Sequence, residues 1–323
     1  MKSKYSNKYV IETGIGLQDV DKLKNSKYFI NESQRYIKGE ISLKELDEIV
    51  TEYYQSKPDV EERSEEADKI SIRIAEIISE DSFTFTVGQL LTIHKILFSD
   101  IIEHAGKLRT YNFTKKEWVL DGASVTYGDY RELEAILNYD FDLERRFNYS
   151  NISLDEIIEH LATFIANLWQ IHAFEEGNTR AVAVFTIKYL RKLGFDVTND
   201  TFAKNAWYFR NSLVRANYSN VLTGVFEDRS YLIKFLRNLL LGENNVLANK
   251  ELRVNLKSEA KLGTREIRII ELMKAAPKIK AEEIAKELGV SLRTIRSIVA
   301  TMEKDGIIRR MNGKKYGYWE LIE

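Results

Sequence analysis

His172-Ala173-Phe174-Glu175-Glu176-Gly177-Asn178-Thr179-Arg180 is the stretch whose residue types and spacing could do chemistry. Two apolar helical patterns flank it, one through Ile157, Leu161, Phe164, Ile165 and Leu168, the other through Val182, Phe185, Ile187 and Leu190. The second pattern opens at Gly177-Asn178-Thr179, so unpaired backbone N–H groups project from its N-terminus. A helix end of that kind carries partial positive charge and attracts anions, phosphates above all. Gly177 lets a ligand approach the backbone closely, and Arg180 adds a fork of donors in the first turn. Glu176 is a hard oxygen ligand of the sort Mg²⁺ uses when phosphates supply the remaining ligands. His172, at the other lip, titrates in the range suited to taking a proton from a hydroxyl. Together these parts suit attack of an alcohol on a phosphate. The plainer reading is a structural turn between two core helices, in which Phe174 anchors the loop to the core.

The elements that must hold this loop read as mostly helical. A helix is expected over 18–37, stopped at Gly39. Ser42 with Glu45 forms a capping box that opens a second helix to Gln55. A third runs from Glu65 to Ser79. Thr86 with Gln89 opens another through Leu90, Leu91, Ile93 and Leu97. The stretch 106–127 alternates around Tyr111, Phe113, Trp118, Val119, Val125 and Tyr127 and contains Asp121-Gly122, which signals a β-hairpin. Ser153 with Glu156 caps the helix that leads into the loop. Helices near 201–218 and 228–241 follow, and 242–262 reads as a polar linker.

Bulk composition bounds the function. The chain has 323 residues and a net charge of −1, with 44% hydrophobic residues, which allows a sizeable core and two or three domains. Cysteine is absent, so thiolate nucleophiles, disulfides and cysteine-ligated zinc are excluded. Four histidines, His94, His104, His160 and His172, make a His-rich metal site a poor expectation. No apolar run of about 18 residues suggests a membrane span and the first residues lack an apolar signal region, so a cytoplasmic place is expected, with no membrane partner.

The loop as a whole resembles the signature of the Fic family, His-x-Phe-x-Asp/Glu-Gly-Asn-x-Arg, through His172, Phe174, Glu176, Gly177, Asn178 and Arg180. Chance agreement at all these positions is on the order of one in a million for a chain this long. The flanks are similar too: Glu66-Ala67-Asp68, His104-Ala105-Gly106-Lys107, Trp169-Gln170-Ile171, Asp196-Val197-Thr198-Asn199-Asp200 and Trp207-Tyr208-Phe209-Arg210-Asn211. The resemblance covers roughly 60–245. It implies a mainly α fold: a Fic-type helical bundle with a short β-hairpin flap. It further implies a nucleotidyltransferase that moves AMP from ATP, with Mg²⁺, onto Tyr, Thr or Ser hydroxyls of a target protein, its own among them. His172 is then the general base and Glu176 the metal ligand. Gly177, Asn178, Thr179 and Arg180 bind the nucleotide, with Tyr208 and Asn211 near the adenine or, equally, packed in the core. The hairpin becomes a flap that docks a target segment by strand addition, through Lys107, Arg109, Trp118 and Tyr127.

The motif also departs from the family. Ala173 replaces Pro, which loosens the loop. Thr179 stands where a Lys marks a kinase-like branch. Ala183 occupies the place of a second Arg, and no intact inhibitory Ser/Thr-x-x-x-Glu-Gly/Asn segment is found. The expectation is an enzyme without the usual intramolecular glutamate switch, with the 18–56 helices left as another way of blocking the site.

From Gly263 the character changes. Residues 263–323 hold 13 Lys and Arg against 9 Asp and Glu, a net +4 that leaves −5 for the rest. Helices over 264–275, 281–288 and 291–304, then strands around Asn312-Gly313, resemble a small C-terminal winged helix-turn-helix domain. On a DNA-binding reading Ser291, Arg293, Thr294 and Arg296 face the major groove and Lys314 and Lys315 reach phosphates. The other reading is a protein-interaction module. The division is therefore 1–60 N-terminal helical segment, 61–242 Fic catalytic domain, 243–262 linker, 263–323 winged-helix-like domain. Two alternatives to AMP transfer stay open: a nucleotide-sensing transcription regulator on a Fic scaffold, and transfer or removal of another phosphate-linked group.

Overall fold

The structure, a computed structural model, describes residues 5–57, 62–254, 264–304, 307–311 and 317–322. The chain divides into two compact units, 1–217 with 228–253, and 218–227 with 254–323.

The first unit is helical. It comprises α1 (Asn7–Gly16), α2 (Lys27–Ile37), α3 (Leu43–Ser56), α4 (Glu62–Ser79), α5 (Val87–Phe98), α6 (Leu133–Arg146), α7 (Leu154–Ile171), α8 (Asn178–Lys192), α9 (Thr201–Ala216) and α10 (Ser230–Leu241). Helix α8 is the axis: every residue from Asn178 to Leu190 is buried. It packs against α4, α5 and α7, so the loop that precedes it is held on several sides. The capping signals behave as their chemistry requires. Ser42 Oγ accepts the Glu45 N–H at 3.2 Å while Glu45 accepts the Ser42 N–H at 2.7 Å, and Ser153 and Glu156 repeat this at the start of α7. At α5 the box is half made. Thr86 accepts the Gln89 N–H at 3.1 Å, but the Gln89 carbonyl turns to the Thr84 hydroxyl at 3.1 Å.

Three expectations are corrected. The expected helix over 18–37 is broken. A 3₁₀ turn at Leu17–Asp21 ends on Lys22 in the left-handed region (φ 56°), and α2 starts afresh after its cap Ser26. Asp68 accepts from the Ser26 N–H at 3.0 Å and its hydroxyl at 2.6 Å, so side-chain bonding competes with helix continuation there. Helix α1 precedes this break. Its Gly14 and Gly16 look like helix breakers but permit close packing, since a Cβ on them would lie 2.3 Å from Ser71 O and 2.2 Å from Ala203 O. The stretch 106–127 reverses at Asp121-Gly122, with the Glu117 N–H on Ala123 O at 2.9 Å, yet it forms a 3₁₀ turn at Trp118–Leu120 and no strand ladder. Arg109 holds the stretch instead, donating to Tyr111 O at 2.7 Å and to Gly128 O. Part of the expected linker also packs: a 3₁₀ turn at Asn249–Leu252 buries Leu252 in the first unit.

The second unit contains α11 (Thr264–Ala275), α12 (Ala281–Glu287), α13 (Leu292–Lys304) and an antiparallel pair β1 (Ile308–Met311) and β2 (Tyr318–Leu321). Ile269, Ile270, Met273, Ile284, Ile295, Val299, Met302 and Ile308 form its core. Val221, from 218–227, packs on that core. The expected Asn312-Gly313 turn lies outside the described residues.

Candidate active site

Helix α7 stops at His172, which is left-handed (φ 50°, ψ 57°) with its N–H on Trp169 O at 3.1 Å. A non-glycine residue held there stores about 1 kcal/mol or more of strain, which surrounding structure must over-determine. Asn178 supplies that constraint. Its Oδ1 accepts the Phe174 N–H at 2.9 Å and its Nδ2 donates to Phe174 O at 2.7 Å, so one amide clamps the loop across its neck. Thr179 Oγ1 accepts from the Trp169 indole at 2.9 Å and ties α8 back to α7. Gly177 has φ 72°, and a Cβ on it would meet the Phe98 ring at 2.2 Å. Helix α8 then begins with the Ala181 N–H on Gly177 O at 3.0 Å. The N–H groups of residues 177–180 have no intrahelical acceptor, as at any helix start.

His172 is 3% exposed, and neither ring nitrogen has a hydrogen-bond partner. Its ring stacks on Tyr127 at 4.0 Å and meets Phe113 and Trp169 edge-on at 5.6 and 5.3 Å. Burial holds its pKa well below the usual histidine value, with the nearby Lys115, Arg210 and Arg109 charges adding to the effect. The imidazole is therefore a neutral base at physiological pH.

Arg180 is 1% exposed. Its Nη2 donates to Glu66 Oε1 at 2.9 Å, its Nη1 to Gln18 Oε1 at 3.2 Å, and its Nε lies 2.9 Å from Asp21 Oδ2 at an angle that makes an ion pair but no hydrogen bond. The guanidinium also sits over the Phe98 ring at 4.8 Å. The expected phosphate ligand thus already holds two carboxylates, one on α4 and one on the 17–21 turn. Glu176 differs: its side chain is exposed and makes no ion pair among the described residues.

Residues 84–190 match the family model described as Fic/DOC, and 263–309 match that of the winged helix-turn-helix DNA-binding family. The chain carries a Fic domain followed by a winged helix. Solved structures similar to it include the N-terminal FIC domain of a VirB-translocated effector protein from Bartonella sp. 1-1C, at 16% identity and TM-score 0.43, covering 57% of this chain and 88% of that one. A Fic family protein from Desulfovibrio desulfuricans aligns at 13% identity and TM-score 0.44, over 98% of this chain and 87% of its own. No curated protein matches the chain. Fic domains in general carry out AMPylation or other phosphodiester-linked transfers.

The stretch 106–127, expected to be a flap, lies against the His172 ring through Phe113 and Tyr127. Arg109, expected at the docking surface, is 2% exposed. Besides the Tyr111 and Gly128 carbonyls, it donates to His172 O at 2.7 Å and Ile171 O at 3.4 Å, so it brackets this stretch to the end of α7. Glu117, fully buried, receives both Nη groups of Arg210 at 2.6 and 3.0 Å and the Tyr127 hydroxyl at 3.3 Å. That pair joins this stretch to α9, and Tyr127, the ring stacked on His172, bonds to it through its hydroxyl. Lys107 and Trp118 are exposed, with Arg253 5.7 Å above the Trp118 ring.

Tyr208 and Asn211 are buried on α9. The Tyr208 hydroxyl donates to Tyr231 O at 3.3 Å, and Asn211 Nδ2 donates to Asn249 Oδ1 at 2.7 Å. The Asn211 carbonyl oxygen is buried without a partner.

Sequence reasoning gave no role to His94, Glu117, Arg210, Asp21 or the Glu66 carboxylate. His94 is 1% exposed, accepts the Gly106 N–H on Nδ1 at 2.8 Å and meets Glu176 O with Nε2 at 3.0 Å. Burial pushes its pKa down to about 4. The available signal was a histidine on the apolar face of Leu90, Ile93 and Leu97, which reads first as core.

In the winged helix, Ser291 Oγ accepts the Thr294 N–H at 3.1 Å and caps α13. Arg293 is exposed, while Arg296 pairs with Glu282 at 3.0 Å. Lys314 and Lys315 lie outside the described residues.

Proposed function

We propose that this Fic protein transfers AMP from ATP to a hydroxyl of a protein, with Tyr, Thr and Ser as acceptors and its own side chains among the substrates. The observation that carries the reading is His172: a neutral, buried imidazole with both nitrogens unpartnered, beside an unpaired helix N-terminus. Buried polar atoms without partners are rare enough in folded proteins to need a reason, and an incoming substrate hydroxyl is one. The acceptor oxygen bonds to the α-phosphorus, the bond from that phosphorus to the bridging oxygen breaks, and pyrophosphate leaves. An imidazole nitrogen of His172 takes the hydroxyl proton. The N–H groups at 177–180 hold the phosphate charge, and Arg180 joins them once its carboxylate partners yield.

The residues fit Mg²⁺ through the exposed Glu176 carboxylate. Among the described residues no cluster of three metal-ligating side chains exists, which suits an ion that arrives with its nucleotide and keeps phosphate and water ligands. When bound, it would neutralise phosphate charge.

Both the flap over His172 and the acids on Arg180 must shift for ATP and target to enter. Tyr208 and Asn211 stay assigned to the adenine end, where the unpaired Asn211 carbonyl could accept the exocyclic amine. Lys107 and Trp118 stay assigned to target docking. A reaction that consumes ATP points to the cytoplasm as its place.

The test is mass spectrometry of the full chain incubated with ATP and Mg²⁺. An added AMP that falls by roughly 10²–10⁴-fold in His172→Ala supports transfer. Nucleotide binding without any modification would favour the second reading, a nucleotide sensor that acts through the winged helix. That reading draws on the exposed Arg293 of α13, which makes DNA a second partner to test.

A further inference from the structure

His94 sits on α5, outside the motif, and touches both sides of the turn that the transferase reading assigns to phosphate. Because the Gly106 N–H occupies Nδ1 at 2.8 Å, the neutral ring must carry its proton on Nε2, which then donates to Glu176 O at 3.0 Å. The ring also stacks on Phe174 at 3.7 Å with an interplanar angle of 15°, and lies 4.6 Å from the Phe98 ring. Phe98 in turn fills the space where a Gly177 side chain would be. One imidazole thus contacts the anchor of the loop, the carbonyl before its glycine and the ring beneath that glycine.

The direction of this contact matters because a peptide unit is planar and trans. Its carbonyl and its N–H point to opposite sides. Fixing Glu176 O on His94 therefore turns the Gly177 N–H away from α5. The same bond fixes the backbone from which the Glu176 carboxylate projects. The geometry points to His94 as a positioning residue: through its Nε2–H it sets the 176–177 peptide so that the Gly177 N–H and the Glu176 side chain face a bound nucleotide's phosphates. This rests on the transferase reading only for the identity of the anion. His94 itself touches no substrate.

The test uses the full chain with His94→Phe, which keeps the ring but not the donor, and His94→Gln, whose amide can still donate to Glu176 O. Magnesium ATP binding is measured by calorimetry, with a thermal melt to confirm folding. Loss of the oriented N–H should weaken binding about tenfold in His94→Phe, the scale of one buried hydrogen bond. His94→Gln should recover most of it. In AMP transfer, the phenylalanine variant should raise the KM for ATP and the magnesium concentration needed, and the glutamine variant should lower both again. The unaltered protein gives a check that needs no variant: long-range nitrogen spectra of the His94 ring should show Nε2 protonated and Nδ1 bare. A ring protonated on Nδ1 overturns the inference. So does a folded His94→Phe that binds like the parent, or equal loss in both variants, which would assign the effect to packing alone. Binding that depends on His94 in a protein that modifies nothing keeps the inference and removes the transferase. Transfer indifferent to His94 does the reverse.

Discussion

The loop at 172–180 and the first turn of α13 are both helix starts with polar side chains, and they spend those side chains differently. In the loop, Asn178, Thr179 and Arg180 are buried and bonded within the protein, while Glu176 is exposed. On α13, Ser291 caps the helix, Arg293 is exposed and Arg296 makes one surface pair. The loop's groups hold a shape, so its free donors are backbone N–H groups whose directions are fixed in advance. Fixed donors cost no reorganisation when charge develops, which is what catalysis needs. On α13, Arg293 is left unengaged among the described residues and the Arg296 pair lies at the surface, so these groups can adapt to a charged surface, which is what phosphate-backbone binding needs.

The comparison breaks most severely at Gly177. Gly177→Ala places a Cβ 2.2 Å from the Phe98 ring on a backbone with φ 72°. Left-handed strain and overpacking together should destabilise the protein by about 3 kcal/mol or more. A thermal melt with a nucleotide-binding assay reads this. A variant with unchanged melting would show that the loop is looser than its contacts imply. Glycine-to-alanine changes on α13's exposed surroundings have no comparable clash to make: a Cβ on Gly289 meets nothing within 4 Å.

Acid should act on the loop next. His172 and His94 are neutral in the fold, with pKa values lowered by burial, the latter to about 4. In the unfolded chain both return to about 6.5. Above that value neither state holds the extra proton and nothing is lost. As pH falls below it, the unfolded chain gains protons that the folded one refuses, so stability drops by up to about 1.4 kcal/mol per pH unit for each group. Denaturant unfolding at pH 7 and pH 5 should show the loss, and His172→Phe should remove part of the slope. Equal stability at the two values would mean that the rings are wetter than the structure shows.

A subtler change sharpens the contrast by freeing a buried group. Glu66→Gln removes one of the two carboxylates that hold Arg180. The guanidinium then gives up less when phosphate arrives, and magnesium ATP should bind about tenfold tighter, which is about 1.4 kcal/mol. Weaker binding with a lowered melting temperature would instead make Glu66 a structural partner that phosphate never displaces.

What was readable in the sequence divides along the same line. The loop, its flanking helices and their caps depend on residues a few places apart, and Ser153 with Glu156 or Gly177 before α8 announce themselves. Helices α11 to α13 were legible for that reason too. Contacts made across the chain were not. Arg180 finds Glu66 at a separation of 114 residues and Glu117 finds Arg210 at 93, and no local pattern marks either. Nor could spacing show that Gly14 and Gly16 serve close helix packing, or that Arg109 would bond to the carbonyls of His172 and Gly128. Helix α6 went unread, although Leu133, Leu137 and Phe141 bury at helical spacing. Its start has no side-chain cap to signal it.

The smallest expected effect lies on α13. Duplex DNA binding by the full chain should weaken as salt rises, because each phosphate contact releases counterions. The full chain is the right material, since residues 218–227 belong to the second unit and Val221 packs on its core. A fragment beginning near 254 would lack that piece. Arg293→Ala should reduce the slope of log affinity against log salt by about one. Arg296→Ala should reduce it less, because Glu282 already sits 3.0 Å from its guanidinium and offsets part of its charge. Equal effects would show that the Glu282 pair dissolves on the nucleic acid. An absence of binding even at low salt would leave α13 as a protein-facing helix, and the adaptable half of the comparison would need another partner.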